Sequence, residues 1–336
     1  MNRLIIVLIA IILIAPTMKG QEKVDYRFEL KPGIETIAIT NRTFDIKDGL
    51  YYFNNSIDTN RTLAFFHSEH IGDFEIKLKK LSYEEIERYI SKKTGKWLLF
   101  VHGDFKTFEL AVLRAMDIGE TYGINVMVFC WPSKDPDISG TRNFKNSKAN
   151  VYKSEKDFME LLEIFRDFDK NDILGRDSLS AFFHSLGNLY LKNYTECIHP
   201  RQKAFSNLIM NSAAVEQEDH NHWVENLEIQ ERVYILFNKH DFTLNGLRIF
   251  TPAGKQLGER IKDTLADNAI YLDFSSVVGH EFPTWNSHSF YIGDMPVEYP
   301  HVGEVYWNLF NSKELDLLDT NIYRKTDYNN RYIIEH

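Results

Sequence analysis

The stretch Ser180-Ala181-Phe182-Phe183-His184-Ser185-Leu186-Gly187-Asn188-Leu189-Tyr190-Leu191 changes character at its middle. A hydrophobic run over 178–183 reads as a strand buried on both faces, and helical spacing begins at Gly187 and runs to Cys197. A serine at a sharp strand-to-helix bend has its hydroxyl lifted clear of the chain. The first free N–H groups of the helix then point to where negative charge would develop on a substrate oxygen. The residues two before and two after such a serine are usually small, because strand and helix crowd there. Gly187 fits; Phe183 departs from the G-x-S-x-G pattern. Ser185 is therefore either a nucleophile or an ordinary turn residue, and the rest of the chain has to discriminate.

Working outward, strand-like and helix-like segments alternate from about Lys96. Trp97–Val101, Asn125–Trp131, Leu208–Asn211, Val233–Asn238 and Ala269–Phe274 read as strands. Phe108–Ile118, with Gly123 as its C-cap, Glu155–Asp169 and Pro252–Leu265 read as helices. Pro132–Val151 is polar and rich in breakers, and reads as a long loop able to overhang a site. This alternation predicts an α/β fold with a mostly parallel sheet covered by helices on both faces. Residues 21–95 differ: short strands at Tyr26–Leu30, Thr36–Asn41, Gly49–Phe53 and Phe74–Leu78 precede a helix at Ser82–Lys92. They predict a small β-rich N-terminal extension packed on a core domain of 96–315. The tyrosine-rich tail 316–336 has no clear place.

Three features give Ser185 a chemical context. Val101-His102-Gly103-Asp104-Phe105 follows the first core strand, and its glycine permits a tight turn that faces backbone N–H groups toward the serine. The expected oxyanion donors are the N–H groups of Asp104 or Phe105 and of Leu186. Asn238-Lys239-His240-Asp241 follows a later strand, which makes Asp241 the candidate acid, with a helix cap as its plain alternative. His288, in Trp285-Asn286-Ser287-His288-Ser289-Phe290-Tyr291, is the favoured base, and His280 and His301 compete with it. The order Ser185, Asp241, His288 is the order an α/β-hydrolase uses.

The segments Val101-His102-Gly103, Phe129-Cys130-Trp131-Pro132-Ser133, His184-Ser185-Leu186-Gly187-Asn188, Asn238-Lys239-His240-Asp241 and His288-Ser289-Phe290-Tyr291 together resemble a bacterial family of α/β-hydrolases. That family, of largely unassigned function, lies in the esterase/lipase superfamily and carries an H-S-M-G-N elbow and a W-P-S motif. Ile39-Thr40-Asn41-Arg42 is similar to the T-x-R stretch many of its members have ahead of the domain. The resemblance spans roughly residues 35 to 312. It implies the α/β-hydrolase fold with a Ser185 nucleophile, an Asp241 acid and a His288 base, and it needs no cofactor.

Composition bounds the function class. The 336 residues are 43% hydrophobic and 26% charged, with a formal charge of −9. An acidic chain without a Lys/Arg run argues against nucleic acid as a partner. Met1-Asn2-Arg3, the apolar run Leu4–Ala15 and the polar turn Pro16–Gly20 have the layout of a secretory signal peptide over 1–20. This predicts export to the periplasm or beyond, with an uncleaved anchor as the other reading. The two cysteines, Cys130 and Cys197, are expected to be buried thiols. Glu218-Asp219-His220-Asn221-His222 resembles a metal cluster, but no third ligand is set by spacing, so no metal is expected. The functional expectation is an exported serine hydrolase that cleaves a small-molecule carboxylic ester. Phe183 and the β-rich extension support its alternative, a catalytically silent scaffold of the cell envelope.

Overall fold

The strand Trp97–Val101 is buried along its whole length, and its side chains divide between two layers. Trp97, Leu99 and Val101 enter one core layer, Leu98 and Phe100 the other. Asn125–Phe129 and Leu179–His184 divide in the same way, which is why they read as continuous apolar runs rather than alternating ones. The computed structural model describes residues 34–336 except 61–62, 73–74, 136, 139, 197–201, 251–253 and 280–286. The expected signal segment 1–20, the strand Tyr26–Leu30, Cys197 and His280 lie outside the described residues. Cys130 is a buried free thiol.

Strands are β1 (Thr36–Thr40), β2 (Arg42–Lys47), β3 (Leu50–Ile57), β4 (Ala64–Gly72), β5 (Glu75–Leu81), β6 (Trp97–Val101), β7 (Asn125–Phe129), β8 (Leu179–His184), β9 (Phe205–Asn211), β10 (Gln230–Phe237), β11 (Ala269–Asp273), β12 (Tyr323–Lys325) and β13 (Arg331–Ile334). Helices are α1 (Tyr83–Ser91), α2 (Phe108–Tyr122), α3 (Gly140–Lys153), α4 (Glu155–Lys170), α5 (Leu189–Thr195), α6 (His220–Val224), α7 (Phe242–Phe250), α8 (Met295–Glu298) and α9 (Pro300–Phe310).

Eleven strands form one sheet in the order β12-β13-β11-β10-β9-β8-β6-β7-β1-β4-β5. The pairs β1–β4, β4–β5 and β12–β13 are antiparallel, and the remaining pairs in the sheet are parallel. Ile86 and Ile90 of α1, Phe158 and Phe165 of α4 and Tyr190 of α5 fill one layer. Phe108 and Val112 of α2 and Tyr306 and Phe310 of α9 fill the other. The expected α/β-hydrolase architecture, with helices on both faces, is what this arrangement is. Chain order reverses between β6 and β8, because β7 lies to one side of β6 and β9, β10 and β11 follow on the other side of β8. Ligands of open α/β sheets bind at such a switch point, beyond the carboxyl ends of the strands.

Several expectations need correction. Within 21–95, β1 pairs in parallel with β7, and β4 and β5 continue outward from it, so these strands extend the core sheet itself. The β2–β3 hairpin stands apart as a two-stranded sheet. The 132–151 region is not a long loop, since α3 occupies Gly140–Lys153. Its buried residues are mostly polar, Asn143, Ser147 and Asn150 beside Val151, so hydrophobic periodicity announces it only weakly. Those side chains bond to the carbonyls of Pro132 and Ser133. No helix forms over 254–265; the chain pairs with the segment after β9 instead, through Leu257 N–H to Val215 O and Gly258 N–H to Ala213 O. The helix of this region is α7, capped by Asp241. The tail is also structured: β13 joins β11 in parallel and β12 pairs with β13 at the edge.

Candidate functional site

Three parallel neighbours, β6, β8 and β9, deliver chain to the same end of the sheet, and each leaves a non-glycine residue in the left-handed region. These are Phe105 (φ 62°), Ser185 (φ 53°) and Ser212 (φ 45°). Such backbone is costly for L-residues and persists where the surroundings over-determine it, which is common at functional sites. Ser185 opens a single 3-10 turn, Ser185–Asn188, that leads directly into α5. Asn188 holds this bend from within, its side-chain amide donating to the carbonyls of Phe183 and Ser185 at 3.1 and 2.9 Å.

Crowding at the bend falls on two glycines. A Cβ on Gly187 would stand 2.7 Å from Val101 O and 2.8 Å from His102 O. A Cβ on Gly103 would stand 2.7 Å from Ser185 Cβ and 3.2 Å from its Oγ. The loop after β6 therefore passes against the serine with only backbone between them, as the sequence led one to expect. Phe183 takes no part in this crowding. Its ring is fully buried and packs edge-on against Phe158 of α4, at a centroid distance of 5.9 Å. A large residue two before the serine is compatible with the bend because α4 supplies a pocket for it in the core layer.

The expected oxyanion donors divide. Phe105 N–H donates to Ser133 O at 3.1 Å, so it is already committed to holding the loop. Asp104 N–H has no hydrogen-bond partner among the described residues. Leu186 is the second residue of the 3-10 turn, and its N–H has no acceptor within that turn. Asp104 and Leu186 thus flank Ser185 with free donors, and Phe105 is removed from the set.

Asp241 and His288 meet although 47 residues separate them. His288 Nδ1 lies 2.7 Å from Asp241 Oδ2. The carboxylate is fully buried, and its other oxygen accepts Leu244 N–H at 2.9 Å. Asp241 both caps a helix and faces His288, one oxygen for each. The histidine segment is anchored at further points. Asn238 Nδ2 donates to Ser287 O at 3.0 Å, Phe242 N–H donates to Ser287 Oγ at 3.2 Å, and Ser212 Oγ donates to His288 O at 3.0 Å. With Nδ1 facing a carboxylate, Nε2 is the nitrogen left to exchange protons. The competitor His301 is elsewhere, its Nδ1 3.2 Å from the tail carbonyl of Glu335. His220, in the acidic and histidine-rich stretch, is buried between Gln217 O at 2.7 Å and Tyr271 OH at 2.8 Å.

Ser185 and His288 face one cavity of about 370 Å³. The Ser185–His288 hydrogen bond itself is not formed, and such bonds are often long until substrate tightens them. The α3 helix lines the cavity with Thr141 and Phe144. Behind Ser185, His184 packs on His288 with centroids 4.7 Å apart. Burial, and then the neighbouring His288, hold His184 well below the ordinary histidine range, so it stays neutral. The carboxyl of Asp104, raised to about 6 by burial, is held at the rim by Asn143 Nδ2 at 2.8 Å. A hydroxyl at a strained bend, a carboxylate-oriented imidazole and the free N–H of Asp104 on one cavity, with the N–H of Leu186 next to the serine in the chain, are parts that acyl transfer requires. Sequence reading missed Asn143 and Ser212, whose side chains bond to groups distant in sequence, and the part that Asn188 plays within the bend.

Comparison with known proteins bears on the family. Residues 79–259 match the family model described as "Alpha/beta hydrolase of unknown function (DUF900)". Among solved structures, prolyl oligopeptidase B from Galerina marginata, as the apo protein, matches at 12% identity and a TM-score of 0.29. The match covers 85% of this chain and 34% of that one, so this chain spans about a third of that protein's length. No curated protein matches. The chain belongs to the DUF900 family of α/β-hydrolases of unknown function.

Proposed function

We propose that the protein is a serine hydrolase that cleaves carboxylic esters through an acyl-enzyme. The observation that carries this reading is the 2.7 Å Asp241–His288 contact opening onto the cavity where Ser185 stands at φ 53°. In the proposed reaction His288 Nε2 takes the Ser185 Oγ proton as Oγ attacks the ester carbonyl carbon. Asp241 holds the imidazole tautomer and stabilises the imidazolium. The N–H groups of Asp104 and Leu186 stabilise the tetrahedral oxyanion, each donor worth roughly 3–4 kcal/mol in comparable systems. The C–O bond to the leaving group breaks, and the alkoxide receives the proton from His288. Water, deprotonated by the same nitrogen, then attacks the acyl-enzyme carbonyl; the acid leaves and Oγ regains its proton. The same reading takes residues 1–20 as an export signal, supported by their basic, apolar, polar layout. Among the described residues no helix is long and apolar enough to cross a membrane.

A fluorophosphonate probe tests the chemistry. Labelling of the wild-type protein that is lost in Ser185→Ala, with kcat for p-nitrophenyl esters down by about 10⁴-fold or more, is expected. Absence of labelling in the folded wild-type protein would leave a binding module on a hydrolase fold.

A further inference from the structure

Lys106 stands two residues past the free N–H of Asp104, on the same loop, and lines the cavity with Ser185 and His288. Its backbone is fixed: the N–H donates to Ser133 Oγ at 3.0 Å and the carbonyl accepts Arg42 Nη2 at 2.8 Å. Its ammonium has no carboxylate partner among the described residues. The two nearby acids are engaged elsewhere. Asp117 pairs with Arg114, with Nε 3.7 Å from Oδ2, and Asp104 accepts from Asn143. Lys134, the other cation at the rim, donates to Ile138 O at 3.0 Å and lies over the Phe105 ring. Phe105, Phe144 and Leu247 supply apolar wall to the same cavity. A half-buried lysine lining a largely apolar cavity, with Asp117 nearby but no carboxylate within ion-pair distance, is an arrangement that a bound anion would complete.

The position of Lys106 indicates which part of a substrate it would meet. The leaving group must lie against His288, which donates its proton. His288 follows β11, on the far side of β8 from β6, and Lys106 follows β6. An acyl chain directed away from His288 would extend toward Lys106. We propose that Lys106 is a specificity-determining residue that selects esters whose acyl chain ends in a carboxylate, such as hemiesters of short dicarboxylic acids. This deepens the serine-hydrolase reading and rests on it. Burial pulls the Lys106 ammonium down to about 8, so it remains mostly charged at pH 7.

The test compares mono-p-nitrophenyl glutarate with p-nitrophenyl pentanoate, a neutral ester of similar length. Wild-type kcat/KM is expected to favour the anionic ester by about tenfold or more, the worth of one charge-assisted hydrogen bond. Lys106→Met should bring the ratio to about one, and Lys106→Arg should keep most of it. A wild-type ratio near one, or a ratio unmoved by Lys106→Met, overturns the proposal while leaving the hydrolase reading intact. Turnover of neither ester sinks the hydrolase reading, and calorimetry with hexanoate then tests the cation alone. Binding by wild type that weakens about tenfold in Lys106→Met supports the site; equal affinities, or no binding to wild type, overturn it.

Discussion

At the scale of single residues, Asp241 joins two structures that are usually separate. One carboxylate oxygen caps α7 through Leu244 N–H, and the other holds His288 Nδ1. Substitutions separate the two roles. Asparagine caps a helix about as well as aspartate. Asp241→Asn should therefore keep α7 and the stability of the fold, while kcat falls by about 10⁴-fold because an amide favours the wrong imidazole tautomer. Asp241→Ala should lose comparable activity and, in addition, about 1 kcal/mol or more of stability from the missing cap. Urea unfolding alongside ester kinetics checks both expectations. Equal stability of the two variants would mean that the cap contributes little. The residue scale also explains why Phe183 does not disturb the bend. The usual preference for a small residue there reflects crowding, and in this chain Gly187 and Gly103 absorb it.

At the scale of elements, the bend Ser185–Asn188 and the carboxyl end of β6 fit together without space for a side chain between them. Ala at 187 would place its Cβ 2.7 Å from Val101 O, closer than two such atoms approach, so backbone must move. Gly187→Ala should destabilise by roughly 1–3 kcal/mol, the range for forced overpacking. It should also weaken fluorophosphonate labelling, because Leu186 N–H moves with the turn. Thermal unfolding and labelling rate measure the two effects, and unchanged values for both would show that the close approach is not a constraint. α3 illustrates another element-level effect. Three of its buried residues, Asn143, Ser147 and Asn150, bond to loop backbone, so hydrogen bonds hold the helix beside the cavity together with the apolar packing of Val151 and Phe144.

At the scale of the whole molecule, Arg42 links the β2–β3 hairpin to the two loops that shape the site. It is buried, and it donates to Asn54 O, Asn55 Oδ1, Lys106 O and Trp131 O. Burial lowers its guanidinium to about 10, so it remains a cation at neutral pH, bonded to neutral oxygens in place of a carboxylate. Removing it leaves the buried carbonyl of Trp131 without a donor, at about 1–3 kcal/mol, while Lys106 O keeps Ser133 Oγ and Asn55 Oδ1 keeps Lys134 N–H. Arg42→Met should cost about 1–3 kcal/mol in urea unfolding and should lower kcat, since the loop that carries Asp104 loses one of its tethers. Arg42→Lys, with a point charge in place of a planar fork, should recover only part of each. A Met variant as stable and active as wild type would remove Arg42 from this role.

The sequence alone determined the alternating core and the serine at the bend. These depend on local signals: two-faced apolar runs mark parallel strands, and glycines mark tight turns. It did not determine that the first strand would enter the main sheet beside β7, or that the tail would close the other edge at β11, because pairing partners are chosen by distant chain. Nor did it reveal α3, whose buried face is mostly polar, or that Phe105 N–H would be taken by Ser133 O. Only the tertiary structure decided which of several histidines stands against Asp241 and which cation shares the cavity with Ser185. Both depend on where loops of widely separated strands converge, and that is set by packing of the whole sheet rather than by any stretch of sequence.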